Sequence, residues 1–455
     1  MRTTRKLVCV LALSLLASGV FAAVSSVEVA KLGSTLTPLG AEKAGNAAGT
    51  IPSWNGGLPI DAAPVTSNGF LGDPYAKEQP LFTITAQNVG QYKDRLSDGQ
   101  VAMLKRYPET FKIPVYVTHR SVGVPKEVEE KVKVSAAKVS LLDGGNGLTN
   151  FDESRYYAFP IPRNGLEVVW NHITRYRGGN LRRLYVQAAP QVNGSYTLVS
   201  FIDEVAFPER MPDLAPDKAA KSLLFFKQRV TSPARLAGNV LLVHDSVDQI
   251  KEPRMAWLYN AGQRRVRLAP QVAYDGPGTA SDGLRTSDNF DMFNGAPDRY
   301  DWKLVGKREM YIPYNNYRLA SPSVKYADIL TLGHVNQDLA RYELHRVWEV
   351  EANLKSGERN IYAKRRFFID EDSWMIALSD HYDGRGQLWR VGQSMLMSYY
   401  TRQIPASAFE VLNDLIAGRY IASGLSNEEK EFVNFDLKAT AADFTPAALR
   451  NAGVR

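Results

Sequence analysis

The sequence predicts a mainly β protein with helices, of the α+β class, built on one large, strongly curved antiparallel sheet. Three observations carry this. The stretch "RYELHRVWEVEANL" (341–354) alternates: Tyr342, Leu344, Trp348, Val350, Ala352 and Leu354 share one face, while Arg341, Glu343, His345, Glu349 and Glu351 share the other. That is the pattern of a half-buried antiparallel strand. "RMAWLYNAGQRRVRLA" (254–269) alternates on both sides of an Asn-Ala-Gly turn and reads as a hairpin. No 20–50-residue repeat of the propeller or solenoid kind interrupts the strand pattern.

From the N-terminus, Arg2, Arg5 and Lys6 precede the apolar run Leu7 to Leu16, and Val20 and Ala22 place small residues for cleavage before Ala23. Residues 1–22 are expected to be a secretory signal peptide. Its loss removes Cys9, the single cysteine, so burial alone must hold the exported chain together. It also lowers the formal charge from +7 to +4, too mild and too mixed to suggest nucleic acid. Residues 23–80 are rich in Gly, Pro, Ala and Asn and read as an irregular segment. Residues 81–160 are the helical N-terminal part, with helical spacing over 85–111. Residues 161–420 are the sheet domain, whose further strands include 195–207 and 301–314. Helices are expected at 217–230 and, with Phe409, Leu412, Leu415 and Ile416 in register, at 406–420. Residues 421–455 form a tail.

The common chemistries find little support. A calcium loop beginning at Asp370 meets Trp374 and Met375 where oxygens are needed. The six histidines are scattered, and His119, His172 and His345 read as structural or solvated. Ser135 and Lys138 fit a Ser-x-x-Lys pair, but "KVKVSAAKVS" alternates instead of opening a buried helix. No phosphate-cradling loop occurs. Asp298 and Asp301 are the sharpest acid pair for a glycosidase, but they read more simply as a turn before a strand.

One anomaly stands out. Arg308, Arg346, Arg365 and Asp380 each share parity with the apolar residues of their strands. Buried charge is costly unless paired. The expectation is an apolar cavity with a few charges inside, suited to an acyl tail and an anionic head. Its candidate residues are Arg308, Arg346, Arg365 and Asp380, with Trp257, Trp348, Trp374 and Tyr382 as aromatic neighbours.

The stretches "LTPLGAEKAGNAAGTIPSWNGG", "FPIPRNGLEVVWNHITRYRG", "WLYNAGQRRVRLAPQVAYD", "DRYDWKLVGKREMYIPYNNY" and "KRRFFIDEDSWMIALSDHYDGRGQLWR" resemble an exported bacterial family, domain of unknown function 1329. That family is described as outer-membrane lipoprotein-sorting-like, and the likeness runs from about Lys31 to Tyr420. It implies the fold of the periplasmic lipoprotein carriers (LolA/LolB-like): an unclosed half-barrel with helices on its concave side and acyl chains held between. It also implies a lipid or lipidated ligand, with an outer-membrane protein and an exporter of the resistance-nodulation-division type as partners. No catalytic residue, metal or cofactor carries over.

The combined expectation is a non-enzymatic carrier or chaperone in the periplasm or on the periplasmic face of the outer membrane, with peripheral membrane contact. The alternatives are an envelope polysaccharide enzyme with paired carboxylates and a structural accessory of an outer-membrane complex.

Overall fold

The computed structural model describes residues 24–453; the expected signal peptide lies outside the described residues. The strands are β1 (Phe82–Ile84), β2 (Ile113–Val115), β3 (Ser140–Leu141), β4 (Leu148–Thr149), β5 (Leu181–Ala188), β6 (Leu198–Ala206), β7 (Ser222–Ser232), β8 (Val240–Ser246), β9 (Met255–Asn260), β10 (Arg265–Leu268), β11 (Tyr300–Pro313), β12 (Tyr342–Leu354), β13 (Lys364–Asp370), β14 (Ile376–Tyr382), β15 (Leu388–Tyr399), β16 (Ile404–Asp414) and β17 (Arg419–Leu425). Fifteen of them form one sheet, and β3 and β4 pair separately.

The sheet is two antiparallel meanders sewn together. β5 to β10 run consecutively, as do β11 to β17, and β17 pairs with β5. β2 and β1 extend the sheet beside the start of β12. The ends of this path, β1 and β10, do not pair, so the sheet is unclosed. Hairpin connections explain the antiparallel order, since consecutive strands need only short turns. "DEDS" and "DGRG" are the two turns between β13, β14 and β15, as the sequence suggests.

Helices pack on the second meander. Asp98–Arg106 starts at Ser97 in a capping box with Gln100 and lies against β14 and β15. Lys126–Lys138 buries Val128 and Val132. Gly165–Ile173 is capped by Asn164 and lies against β11 and β12. No helix among the described residues is long and apolar enough to cross a membrane.

Several expectations change. Residues 406–420 are not a helix: they are most of β16, a turn and the start of β17. This strand pair is buried on both faces, so its apolar run carries no two-residue alternation to separate it from a helix. In 217–230 only Pro216–Lys221 is helical before β7 begins. Conversely, the alternating "KVKVSAAK" lies in the helix Lys126–Lys138, where buried Ser135 donates to the carbonyl of Tyr156 at 2.6 Å. His172 lies in the helix Gly165–Ile173. His345 is buried, not solvated, stacked on Tyr314 with ring centroids 3.8 Å apart.

Tyr314, Asn315 and the His119 amide cover His345 and Glu343, while Arg308 and Arg366 cover Glu349. The irregular segment has few regular elements, yet it docks on the opposite face of β12. Arg346 donates to the carbonyls of Glu42 and Ala44, and Trp374 donates to that of Leu39 at 2.8 Å. Gly40 sits at φ +94°, and a Cβ there would lie 1.8 Å from the carbonyl oxygen of Pro160. Left-handed backbone and close approach both demand glycine. Gly40→Ala is expected to destabilise the fold by about 2 kcal/mol or more, read as a lower urea midpoint; an unchanged midpoint would contradict this docking.

Candidate functional site

A cavity lies on the first meander, not on the strands that carry the sequence-predicted charges. One face of β5 to β8 forms its floor. Register places Leu181, Val205, Phe226 and Val243 in one cross-strand row, and Arg183, Asp203, Gln228 and Leu241 in the next. The opposite face, with Ala206, Phe225 and Leu242, is sealed by Phe444 and Leu449 of the C-terminal segment. β16 and β17 supply a side wall through Ala406, Ala408, Glu410 and Ser423, and the loop 278–294 is a further wall. The volume is about 230 Å³. That is near the lower limit of small-molecule sites, roughly 300 Å³.

The cavity is apolar along one row and cationic around it. Arg175 and Arg177 share Asp291, the latter at 2.9 Å. Against the cost of burial, these two guanidiniums hold the Asp291 carboxyl well below the usual range. Arg254 grips Asp245 through two contacts of 2.7 Å. Arg183 reaches the fully buried Asp203 at 3.0 Å, and Gln228 donates to the other oxygen of Asp203 at 3.1 Å. Arg285 and Glu410 also face the cavity, and no ion pair holds either among the described residues. Burial first, and Asp291 second, push Glu410 up to about 7.

The cavity thus combines an apolar floor with polar groups on one side. This can bury an amphipathic molecule. A possible ligand cluster for a metal lies elsewhere: His345, Asp370 and Asp372 each bring one atom within 4.8 Å of the others. Both oxygens of Asp372, however, already accept from Arg120, at 2.6 and 2.9 Å.

Residues 83–450 match the sequence profile of the family described as Protein of unknown function (DUF1329). The chain belongs to this family. As a DUF1329 protein it is 65% identical, over the full length of both chains, to Uncharacterized protein PA3922 of Pseudomonas aeruginosa. It is also similar to three solved structures. The first is described as an outer membrane lipoprotein-sorting protein domain from Vibrio parahaemolyticus (13% identity, 63% of this chain, 98% of that one, TM-score 0.44). The second is a DUF1329 family protein from Desulfovibrio piger (16%, 59% and 91%, TM-score 0.41). The third is the LolA superfamily protein NE2245 from Nitrosomonas europaea (9%, 62% and 98%, TM-score 0.37).

None of the eight sequence-predicted residues of this DUF1329 chain is among the residues lining the large cavity. Each is placed by packing instead. Arg308 contacts Glu349 at 3.1 Å, and Arg346 contacts Glu371 at 2.6 Å. Arg365, fully buried, contacts Asp288 at 2.5 Å and lies 5.0 Å from the centre of the Tyr300 ring and 4.7 Å from that of Tyr362. Asp380 forms no ion pair among the described residues: it accepts from Ser97 Oγ and the Gly99 amide, both at 3.1 Å, and so anchors the start of the helix Asp98–Arg106. Trp348 stacks on Trp374. Trp257 lies edge-on to His244, and Tyr382 donates to Asp98. Arg308 is partly exposed and, after the register shift between Leu304 and Gly306, lies beside Glu349 on the charged face of β12; Arg346, Arg365 and Asp380 are buried, and covering helices and loops supply them with partners that no single strand reveals. The same parity test marks Arg183 between Leu181 and Tyr185, and Asp203 between Phe201 and Val205, in the strands that do line the cavity or underlie it. Arg285 lies in a loop and leaves no periodic signal.

Two outcomes test these structural roles. Arg365→Met strands Asp288 in the interior and is expected to cost about 3–5 kcal/mol. Arg308→Met, at a partly exposed pair whose Glu349 keeps Arg366, is expected to cost about 1 kcal/mol or less. Equal losses in chemical denaturation would refute the distinction.

Burial raises Asp380 from 3.8 to about 7. A carboxyl raised by folding binds more protons in the native state, so its contribution favours folding below the unfolded value and is lost as pH climbs to the folded one. Asp380→Asn removes that loss. Its stability relative to the parent is expected to rise between about pH 4 and pH 7, by up to a few kcal/mol at about 1.4 per pKa unit. A stability difference constant across that range would show that the carboxylate is not strained.

Proposed function

We propose that this protein is a periplasmic, non-enzymatic carrier that buries a lipid-like ligand in the cavity between β5–β8, β16, β17 and the loop 278–294. The observation that supports this is the floor itself. Leu181, Val205, Leu224, Phe226 and Leu241 face the cavity and remain only half-buried, whereas the residues behind them are sealed. Apolar surface left available inside a folded chain gains by covering, at about 0.8 kcal/mol per CH₂ of an acyl chain. The small volume favours a single-chain ligand over a bulky lipidated protein anchor.

The same floor offers a route outward. The row Arg183, Asp203, Gln228, Leu241 continues in register through Leu258 to Arg267 at the sheet edge. Leu258 is 38% exposed and Leu268 is 54% exposed, beside Arg265 and Arg267. An apolar edge with arginines suits peripheral contact with an anionic membrane surface, where a ligand could be exchanged. A role beside an outer-membrane protein or exporter accords with the same reading.

Native mass spectrometry of protein purified from its own periplasm is expected to show a co-purifying single-chain lipid. Ala406→Trp, which fills the cavity from a half-buried wall position, is expected to reduce its occupancy at least tenfold. Repeatedly empty wild-type protein, or undiminished occupancy in the variant, would overturn the assignment.

A further inference from the structure

Arg285 differs from the other arginines of the cavity. Only 6% of it is exposed, and its Nη2 donates to Gln187 Oε1 at 3.1 Å. Its Nε and Nη1 have no hydrogen-bond partner. Buried arginine donors left open are costly, because guanidinium stays charged and cannot shed the cost by deprotonation. Arg175, Arg177, Arg183 and Arg254 all hold carboxylates; Arg285 holds none among the described residues.

Its position is equally specific. The Arg285 guanidinium lies 5.2 Å from the centre of the Phe290 ring, and that of Arg183 lies 5.7 Å from the same centre. Two cations therefore converge on one ring, which itself lines the cavity. Glu410 is the one acid of the cavity wall that pairs with none of them, and burial favours its neutral form.

Charge and size narrow the ligand. Five arginines surround the cavity, and three acids, Asp203, Asp245 and Asp291, take four of them in ion pairs. Among the described residues Arg285 is then the one arginine of the cavity without a carboxylate, and its open Nε and Nη1 donors suit a planar, singly charged carboxylate. Resting on the carrier reading above, we propose that Arg285, with Arg183 beside it on the Phe290 ring, binds the carboxylate head of a single-chain amphiphile. Its chain lies along the row Leu181, Val205, Phe226 and Val243. Charge-assisted bonds to the open donors replace the hydration that Arg285 loses on burial.

The test is displacement of an uncharged hydrophobic dye from the purified full chain by palmitic acid, hexadecanol and hexadecyl phosphate. Palmitic acid is expected to bind at least tenfold more tightly than hexadecanol. Arg285→Gln is expected to bring that preference near unity, and Arg285→Lys, which keeps the charge, to retain part of it. Circular dichroism of both variants verifies their fold. Equal binding of acid and alcohol by the wild type overturns the head assignment while leaving the carrier reading intact, as does an acid preference unchanged in a folded Arg285→Gln. Tighter binding of hexadecyl phosphate than of palmitic acid overturns the carboxylate. Failure of all three to displace the dye overturns the carrier reading, and this inference with it.

Discussion

The pairing of β17 with β5 holds the rest of the architecture together. It is short: Ala422 faces Ala188, Ser423 faces Gln187, and after a register shift Leu425 faces Val186. Gly424 stands at that shift with φ +107°, and a Cβ there would approach the Cα of Phe409 to 3.4 Å. Small residues let the two meanders meet closely, and a bulge at the joint sharpens the local twist. Without this joint, β5–β8 and β16 would not face one another and no enclosed cavity would exist. The charged residues that define the cavity come from both sides of it: Arg183 from one meander, Glu410 from the other.

The two meanders use buried charge differently. In the second, every inward charge that parity reveals is matched by a covering element. The irregular segment supplies Glu42 and backbone carbonyls to Arg346, the loop near Asp288 answers Arg365, and a helix start answers Asp380. Such pairs contribute less net stability than their geometry suggests, because both partners lose water. Their clear consequence is specificity, since each covering element fits only where its charge is met. In the first meander the covering is incomplete. The loop 278–294 neutralises Arg175 and Arg177 through Asp291 but brings Arg285 in without a carboxylate.

Burial on both faces is what makes the sequence hard to read in places. β12 alternates cleanly in sequence, yet Glu343, His345 and Glu349 are as buried as Leu344 and Val350, because His119, Tyr314 and Asn315 meet the first two and Arg308 and Arg366 the third. β16 shows the reverse: apolar on both sides, it offers no alternation, and its spacing imitates a helix. In both cases the side-chain pattern reports local polarity, whereas the environment is set by segments far away in sequence.

Alternation and turn chemistry by themselves determined the class of the fold, the hairpin of β9 and β10, and the three strands and two turns of β13 to β15, because these depend on neighbours within a few residues. Parity also marked Arg346, Arg365 and Asp380, which are buried, but it misplaced Arg308, which a register shift in β11 sets beside Glu349. Only the tertiary structure decided which of those charges are satisfied. The partners Glu349, Glu371, Asp288 and Ser97 of Arg308, Arg346, Arg365 and Asp380 lie 41, 25, 77 and 283 positions away. Arg285 carries no pattern at all, and its open donors exist only because a loop folds it over a sheet face. Pairing energy depends on distance in space, which no local reading of a chain contains.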